Sequence, residues 1–206
     1  MLIAFEGLDR TGKSTQIMNL KAYLENTMGR KVVVMKFPDR TTPIGQQINS
    51  FLQKQVEYEK ELIHLLFSIN RWELNSKIRQ LLMEGVDILL DRYAYSGIAY
   101  SHAQGLDFDW CVSPDKGLPK PDVVLYFKVK NMSELASREE FGQEIYEHEE
   151  FQKKVAEVYE NKLMQNDWLI VNASQTIAEV AQEIHRLLTE IVVKFDGKEI
   201  LNMDFK

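Results

Sequence analysis

The sequence predicts an α/β fold in which a parallel β-sheet carries helices on both faces. One observation is that nearly continuous apolar runs alternate with helical patterns, as strands of a sheet buried on both sides require. A second is the stretch G-x-x-x-x-G-K-S between the first apolar run and the first helical pattern. This stretch is typical of a strand–loop–helix unit that binds phosphate.

Apolar runs predict five strands, at residues 2–5, 32–37, 86–91, 123–127 and 168–171. Helical spacing predicts helices at residues 14–27, from about 44 onward, and at 57–84, 95–104, 149–165 and 177–193. The pattern in the longest of these rests on Leu62, Leu65, Leu66, Ile69 and Trp72. Ligands of such sheets bind beyond the carboxyl ends of the strands, so the residues just after each strand are the site candidates.

The composition favours one globular domain over residues 1–206, with 45% hydrophobic and 27% charged residues. The net charge of −6 argues against general nucleic-acid binding, and no apolar run is long enough to span a membrane. Cys111 is the only cysteine, which excludes an intrachain disulfide and fits a reducing compartment. We therefore expect a cytoplasmic protein, with nuclear presence left open, and no nucleic-acid or membrane partner.

Residues 7–15 after the first strand form the candidate P-loop. Gly7 and Gly12 allow the backbone to turn and bring its N–H groups close to phosphate oxygens, and the helix that follows adds its positive end. Lys13 can reach the outer phosphates, and the Ser14 hydroxyl can join the shell of Mg²⁺. The alternative is a glycine turn without a ligand.

The loops after the second and third strands carry further candidates. Pro38 and Pro43 stiffen a loop that presents Arg40, either to grip an anion or as a solvated side chain. Asp91 ends the third strand, where a carboxylate can orient a metal or its waters, and Arg92 beside it can contact phosphate. The alternative for Asp91 is a cap of the following helix.

The segment 57–84 places His64, Phe67 and Arg71 on one helical face. Phe67 can stack on a base and Arg71 can contact a base edge or a phosphate, although helical aromatics more often belong to the core. The polar segment 137–147 after the fourth strand is either a mobile lid over the site or a solvated connection.

Six motifs occur in order between Ile3 and about Phe151: FEGLDRTGKSTQ, FPDRTTPIG, HLLFSINRWE, DRYAYSGIAYS, GLPKPD and EFGQEIYE. As a set they closely resemble the thymidylate (dTMP) kinase family, with most similarity to its eukaryotic and poxviral branch. The resemblance implies a P-loop nucleoside monophosphate kinase fold with a five-stranded parallel sheet and a short lid at about residues 137–148. It implies the reaction ATP + dTMP → ADP + dTDP with Mg²⁺, in dTTP biosynthesis. It also implies a homodimer formed partly through the long helix.

The same resemblance implies roles for individual residues. Asp9 would contact the sugar 3′-hydroxyl of dTMP, and Arg10 would assist transfer together with Lys13 and Arg92. The ATP-binding residues would be Gly7, Arg10, Thr11, Gly12, Lys13, Ser14, Thr15 and, from the lid near the adenine, Arg138. The metal would be held by Ser14 and Asp91.

For dTMP, the resemblance implies arginine contacts to the phosphate and an aromatic base pocket. Phe67 would stack on thymine and Arg71 would bond its edge, while Tyr100 would crowd a ribose 2′-hydroxyl. The full implied set is Asp9, Phe37, Arg40, Phe67, Arg71, Arg92, Ser96, Gly97, Tyr100 and Tyr146.

One departure concerns the lid. Bacterial-type members of the family keep catalytic arginines there, whereas the corresponding stretch is Gln143-Glu144-Ile145 and no arginine follows Phe141 in it. Arg10 is then expected to neutralise the transferring group, as in the other branch.

Two alternatives differ in substrate or in class. Another P-loop kinase would act on a different monophosphate, such as dUMP, or on a nucleoside. Discrimination of dUMP from dTMP depends on packing around one methyl group. A nucleotide-operated binding switch would need N-K-x-D for guanine, which is absent, and its D-x-x-G occurs only as residues 9–12 inside the P-loop.

Overall fold

The structure, a computed structural model, describes residues 1–131, 144–195 and 199–205. Within these ranges, parallel pairing joins five strands in the order β2-β3-β1-β4-β5. They are β1 (Leu2–Gly7), β2 (Val32–Lys36), β3 (Asp87–Asp91), β4 (Val123–Lys128) and β5 (Leu169–Asn172). The predicted five-stranded parallel sheet is confirmed.

Helices connect the strands and cover the sheet. They are α1 (Lys13–Asn26), α2 (Pro43–Leu52), α3 (Lys60–Glu73), α4 (Asn75–Met83), α5 (Ala94–Ala103), α6 (Phe108–Val112), α7 (Glu149–Val158) and α8 (Ile177–Lys194). Local signals explain where two of them begin. Pro43 stands at the first turn of α2, behind a Thr42 side chain that accepts from the Gly45 N–H. Thr176 and Glu179 form a capping box at the start of α8.

The side chains of β1 alternate between the two faces of the sheet. Leu2 and Ala4 belong to a buried cluster on one face, and Ile3 and Phe5 to a second cluster on the other. The first cluster includes residues of α5 and α7, and the second includes residues of α1 and α8. Helices therefore cover both faces, as the apolar composition of the strands predicted.

The prediction of one helix over residues 57–84 was wrong in two respects. Residues 57–59 are not helical, and Leu74 separates α3 from α4. The Leu74 N–H donates to the Arg71 carbonyl at 3.1 Å, and this hydrogen bond between residues three apart ends α3. The next helix then begins, because the Leu74 carbonyl accepts from the Ile78 N–H at 2.9 Å. Apolar periodicity continues through both helices and does not reveal this break.

Most of the apolar residues whose spacing predicted α3 do not lie on its buried face. Leu62, Leu65, Ile69 and Trp72 are 46%, 38%, 45% and 38% exposed, and we call them the α3 apolar face. The buried face is instead largely polar and includes Ile63, His64, Ser68, Asn70 and Arg71. Helical periodicity was correct, but it could not indicate which face is turned inward.

Sequence patterns did not predict α6, which follows α5 in the structure. Asp107 caps it by accepting from the Trp110 N–H at 2.9 Å, and Cys111 in this helix is fully buried. Burial raises the pKa of the Cys111 thiol to about 12, which removes it from thiolate chemistry. In the ranges that the structure describes, no helix combines the length and the apolar composition needed to cross a bilayer.

Candidate active site

The sheet order explains why distant motifs meet. Strands β2, β3 and β1 are neighbours, so the loops after residues 36, 91 and 7 open at the same edge of the sheet. They border a cavity of about 520 Å³. Helices α3 and α5 and the segment before α7 supply its remaining walls.

Most of the predicted site residues line this cavity. They are Asp9, Arg10, Thr11, Gly12, Lys13, Ser14, Thr15, Phe37, Arg40, Phe67, Arg71, Asp91, Arg92, Ser96, Gly97, Tyr100 and Tyr146. Gly7 lies behind the lining and contributes its carbonyl to Arg92 at 2.8 Å. Arg138 and the lid residues 137–143 lie outside the described residues, whereas Glu144, Tyr146 and Glu147 reach the cavity.

The P-loop turns tightly between β1 and α1. Gly7 has a φ of 129°, and a Cβ there would lie 2.6 Å from the Phe127 carbonyl oxygen, so a side chain does not fit. Gly12 has a φ of 88° and precedes the first residue of α1. The loop therefore presents the amino end of α1, with its unpaired N–H groups, to the cavity.

The Lys13 side chain is buried beneath this loop. Its Nζ donates to the carbonyls of Gly7 and Leu8 and to the Thr11 hydroxyl, at 3.3, 2.5 and 3.2 Å. Burial and, to a smaller extent, the nearby Arg92 charge lower the pKa of Lys13 to about 7, although neighbouring carboxylates act in the opposite direction. A polyanion in the cavity would favour the protonated form.

Ser14 and Asp91 lie next to each other at the cavity edge. The Ser14 hydroxyl donates to Asp91 Oδ2 at 2.7 Å. One hydroxyl and one carboxylate fit Mg²⁺ that is held mainly by substrate phosphates and water. Elsewhere in the described part of the chain, no group of three His, Cys, Asp or Glu side chains could hold a metal ion.

Asp9 connects the P-loop to the opposite wall of the cavity. Its carboxylate accepts from Arg92 Nη2 at 2.5 Å, from the Tyr100 hydroxyl at 2.8 Å and from Gln152 Nε2 at 2.9 Å. Burial alone would raise the pKa of Asp9, but Arg92, Lys13 and the two side-chain donors lower it below its ordinary value. Asp9 is therefore an anion that can accept a hydrogen bond from a hydroxyl.

Sequence reasoning missed Gln152. This residue of α7 is buried, and its side chain also accepts from the Asp9 N–H at 3.2 Å and donates to the Tyr146 carbonyl at 2.9 Å. A glutamine in an ordinary helical pattern carries no motif, so only its position beside Asp9 reveals it.

The buried carboxylate of Glu6 holds Arg92 in position through Ser96. Glu6 accepts from the Tyr93 N–H at 2.9 Å, and from the hydroxyls of Ser96 and Tyr159 at 2.5 and 2.8 Å. Ser96 in turn accepts from Arg92 Nη1 at 3.0 Å. Because Glu6 is held within a fully buried strand, it fixes Ser96 and through it Arg92.

Two carboxylates before α7 contact the arginines expected to bind phosphate. Glu147 accepts from Arg10 Nε and Nη2 at 3.1 and 3.0 Å, and Glu144 pairs with Arg40 Nη1 at 2.8 Å. Arg40 Nε is buried and has no hydrogen-bond partner among the described residues. Both arginines thus already hold an anionic group where an oxyanion of a substrate would fit.

Aromatic and small residues form the far end of the cavity. Phe67 is half-buried on α3 and faces it together with Arg71, while Gly97 on α5 leaves room beside the guanidinium. The rings of Tyr100 and Tyr146 pack edge to face at 5.5 Å. This end is suited to a flat ring with polar edges, and the other end to phosphates.

Comparisons with known proteins agree over nearly the whole chain. A family model described as thymidylate kinase matches residues 5–184. The chain is 48% identical over 204 residues to "Thymidylate kinase" of Dictyostelium discoideum, covering 99% of this chain and 91% of that protein. It is 41% identical to "Thymidylate kinase" of Homo sapiens, covering 94% and 91%. A solved structure of thymidylate kinase from Candida albicans superimposes with a TM-score of 0.85 at 38% identity, covering 100% of this chain and 96% of that one.

Proposed function

The chain belongs to the thymidylate kinase family, and we propose that it transfers the γ-phosphoryl group of ATP to dTMP, giving ADP and dTDP. One observation carries the proposal for this chain. A P-loop and a second subsite with its own arginines and aromatic wall share one cavity, joined by the Asp9–Arg92 pair at 2.5 Å. A protein that only binds a nucleotide has no need of the second subsite.

The donor occupies the P-loop end in this proposal. Backbone N–H groups of residues 10–15 surround the ATP phosphates, and Lys13 turns from the loop carbonyls toward them. Ser14 and Asp91 would hold Mg²⁺ with the phosphates and water, and the ion would neutralise part of the phosphate charge. Arg10 contacts the phosphoryl group while it is transferred.

The acceptor occupies the other end. Arg40 and Arg92 bind the dTMP phosphate, Phe67 stacks on thymine and Arg71 donates to its edge. Phe37, Ser96, Gly97 and Tyr146 complete the walls of this subsite. Asp9 accepts from the 3′-hydroxyl, while Tyr100, which donates to Asp9 at 2.8 Å, fills the space near C2′.

Charge and position account for the reaction. The acceptor phosphate is a dianion and already a nucleophile, so the reaction needs no general base. The main barrier is the approach of two polyanions, which Lys13, Arg10 and Arg92 offset in a cavity from which water is displaced. In this proposal substrate oxyanions replace Glu147 on Arg10 and Glu144 on Arg40, so the arginines stay paired throughout.

The deciding experiment is ADP release from ATP with a panel of monophosphates. dTMP is expected to give the highest kcat/KM, with dUMP lower and dGMP near background, and activity should require Mg²⁺. A higher kcat/KM for another monophosphate would overturn the assignment of the acceptor. Comparison of ATP with GTP as donor tests the nucleotide-switch alternative.

Phe67→Ala is expected to raise the KM for dTMP about tenfold or more and to change the KM for ATP by less than about twofold. The reason is that the ring lies at the acceptor end of the cavity, away from the P-loop. Steady-state kinetics with each substrate varied at saturating levels of the other measure both values. Glu61→Ala, at an exposed residue of the same helix outside the cavity lining, is the matched control. Equal effects of Phe67→Ala on both KM values would contradict stacking.

ATP binding is expected to take up close to one proton at pH 8, because Lys13 has a pKa of about 7 in the free protein and regains its proton beside the phosphates. The uptake should vanish well below pH 7, where Lys13 is already charged. Titration calorimetry in buffers of different ionisation enthalpy measures it. Lys21→Ala on the same helix should keep the uptake and Lys13→Ala should abolish it. The same uptake in Lys13→Ala would assign the proton to another group.

The α3 apolar face is proposed to join two copies of the chain into a homodimer. Four large apolar side chains at helical spacing remain between 38% and 46% exposed there. Leu65→Glu with Ile69→Glu should convert a dimer to a monomer in light scattering. Met83→Glu, a control on the neighbouring helix α4 at a residue that is 74% exposed, should not. A wild-type monomer would contradict the proposal.

A further inference from the structure

The Arg71 side chain is held by the Asp115 carboxylate, a pair that no sequence motif predicted. Arg71 is 2% exposed and Asp115 is fully buried. Arg71 Nε donates to Asp115 Oδ1 at 3.0 Å and Nη2 donates to Oδ2 at 2.6 Å, a bidentate pair that fixes the guanidinium plane. Asp115 belongs to the short 3₁₀ turn Ser113–Asp115 that follows α6.

The carboxylate is itself anchored to α3. The Ser68 hydroxyl, one turn before Arg71, donates to Asp115 Oδ1 at 2.7 Å. The Ser68 hydroxyl also lies 3.1 Å from the Pro114 carbonyl oxygen, so Ser68 joins α3 to two of the three residues of the turn. The orientation of Asp115 is therefore determined on the same helix that carries Arg71.

Gly97 on α5 restricts the guanidinium from another direction. A Cβ at Gly97 would lie 2.7 Å from Arg71 Nη2, 2.9 Å from Nη1 and 3.1 Å from Cζ. The guanidinium thus packs directly against the α5 backbone, and only glycine leaves the space it occupies. Held by Asp115 and packed against Gly97, the guanidinium has little freedom to rotate.

One nitrogen is left for a ligand. Nε and Nη2 are committed to Asp115, whereas Nη1 makes no hydrogen bond to any residue that the structure describes. Arg71 lines the cavity between Phe67 and Gly97. A guanidinium can only donate, so a fixed Nη1 pairs with a carbonyl oxygen on a base edge and leaves an amino group at that position without a partner.

We propose that Asp115, supported by Ser68, is a positioning residue that makes Arg71 select pyrimidines with a carbonyl oxygen at C4 over those with an amino group. The inference rests on the proposed function, because it concerns the acceptor end of the same cavity. Asp115 acts without touching the substrate. It sets the direction of Nη1 and neutralises the buried guanidinium.

The test compares dTMP with dCMP, whose C4 substituents are a carbonyl oxygen and an amino group. Asp115→Asn keeps the shape of the side chain but removes its charge. The amide oxygen can accept only one of the two guanidinium hydrogen bonds, because the amide N–H₂ is itself a donor. The ratio of kcat/KM for dTMP to that for dCMP is expected to fall about tenfold or more. The KM for ATP should change by less than about twofold. Titration calorimetry with each monophosphate should show the same loss of preference.

Two variants separate positioning from general loosening of the segment. Asp107→Ala removes the cap of α6 in the same region and should lower Tm while the substrate ratio stays at its wild-type value. Ser68→Ala removes one donor to Asp115 and should lower the ratio in the same direction by about threefold. This milder variant keeps the test decisive if Asp115→Asn fails to fold.

The outcomes distinguish this inference from the function on which it rests. A wild-type enzyme that does not prefer dTMP to dCMP overturns the assigned acceptor. A wild-type preference that survives unchanged in folded Asp115→Asn, or in Ser68→Ala where Asp115→Asn does not fold, overturns only the positioning role. A fall in the ratio with an unchanged KM for ATP supports it.

Discussion

Arg10→Ala is expected to lower kcat by about three orders of magnitude while the fold is kept. Arg10 extends from the P-loop into the cavity and holds the Glu147 carboxylate through two hydrogen bonds, at 3.1 and 3.0 Å. A guanidinium that grips a carboxylate in this way can grip the spread charge of a transferring phosphoryl group. The predicted lid has no arginine after Phe141 that could take over.

The backbone at Arg10 offers a second variant that separates chemistry from folding. Arg10 has a φ of 61°, in the left-handed region that costs an ordinary residue energy and glycine none. Arg10→Gly should therefore be as inactive as Arg10→Ala but at least as stable to heat, which calorimetry can compare directly. The loss of rate then cannot be assigned to a damaged loop.

The measurement is a rapid-quench single turnover with enzyme in excess, which isolates the chemical step from product release. Arg186→Ala, an exposed arginine on α8, is the matched control and should keep the wild-type rate. Nearly normal single-turnover rates in both Arg10 variants would remove Arg10 from the mechanism.

Arg92→Met is expected to have the second largest effect and to reduce both activity and stability. Arg92 donates to the Gly7 carbonyl at 2.8 Å, to Ser96 at 3.0 Å and to Asp9 at 2.5 Å. Loss of the guanidinium leaves the half-buried Asp9 carboxylate, whose side chain is 27% exposed, without its main counterion. We expect destabilisation of about 2 kcal/mol and a fall in kcat/KM of about a thousandfold.

The pH dependence gives this prediction a distinct signature. Burial raises the pKa of Asp9 and Arg92 is the largest influence that lowers it, so the pKa of Asp9 should rise in the variant. A carboxyl group whose pKa is lower in the folded than in the unfolded state stabilises the fold at pH values above its unfolded pKa. The variant should therefore be less stable than the wild type at neutral pH and differ little from it in acid. Urea unfolding between about pH 2 and 7 measures this, because the wild-type contribution is lost only as the pH falls below the ordinary Asp pKa of 3.8. A stability deficit that is constant over the range would contradict the role assigned to the pair.

Several elements could be predicted because their signals are local. The apolar runs specified the strands of the parallel sheet, and G-x-x-x-x-G-K-S specified the loop that joins β1 to α1. The motif set also identified the family, which the comparisons confirm. The Mg²⁺ requirement, the homodimer and the cytoplasmic location stay predictions.

Other features could not be predicted because they depend on which surfaces meet. Periodicity in α3 located a helix, yet the inward face proved to be the polar one, since it borders the cavity and supports Arg71. The break at Leu74 and the short helix α6 likewise left no local signal.

Local patterns were enough to predict the sheet, the P-loop and most of the side chains that line the cavity, because these depend on a few neighbouring residues or on strand ends. How those side chains are held depends on tertiary packing. Gln152 on Asp9, Glu6 beneath Ser96 and Asp115 on Arg71 are 143, 90 and 44 residues from their partners. The burial that strengthens such pairs comes from packing of the whole chain, and no short pattern records it.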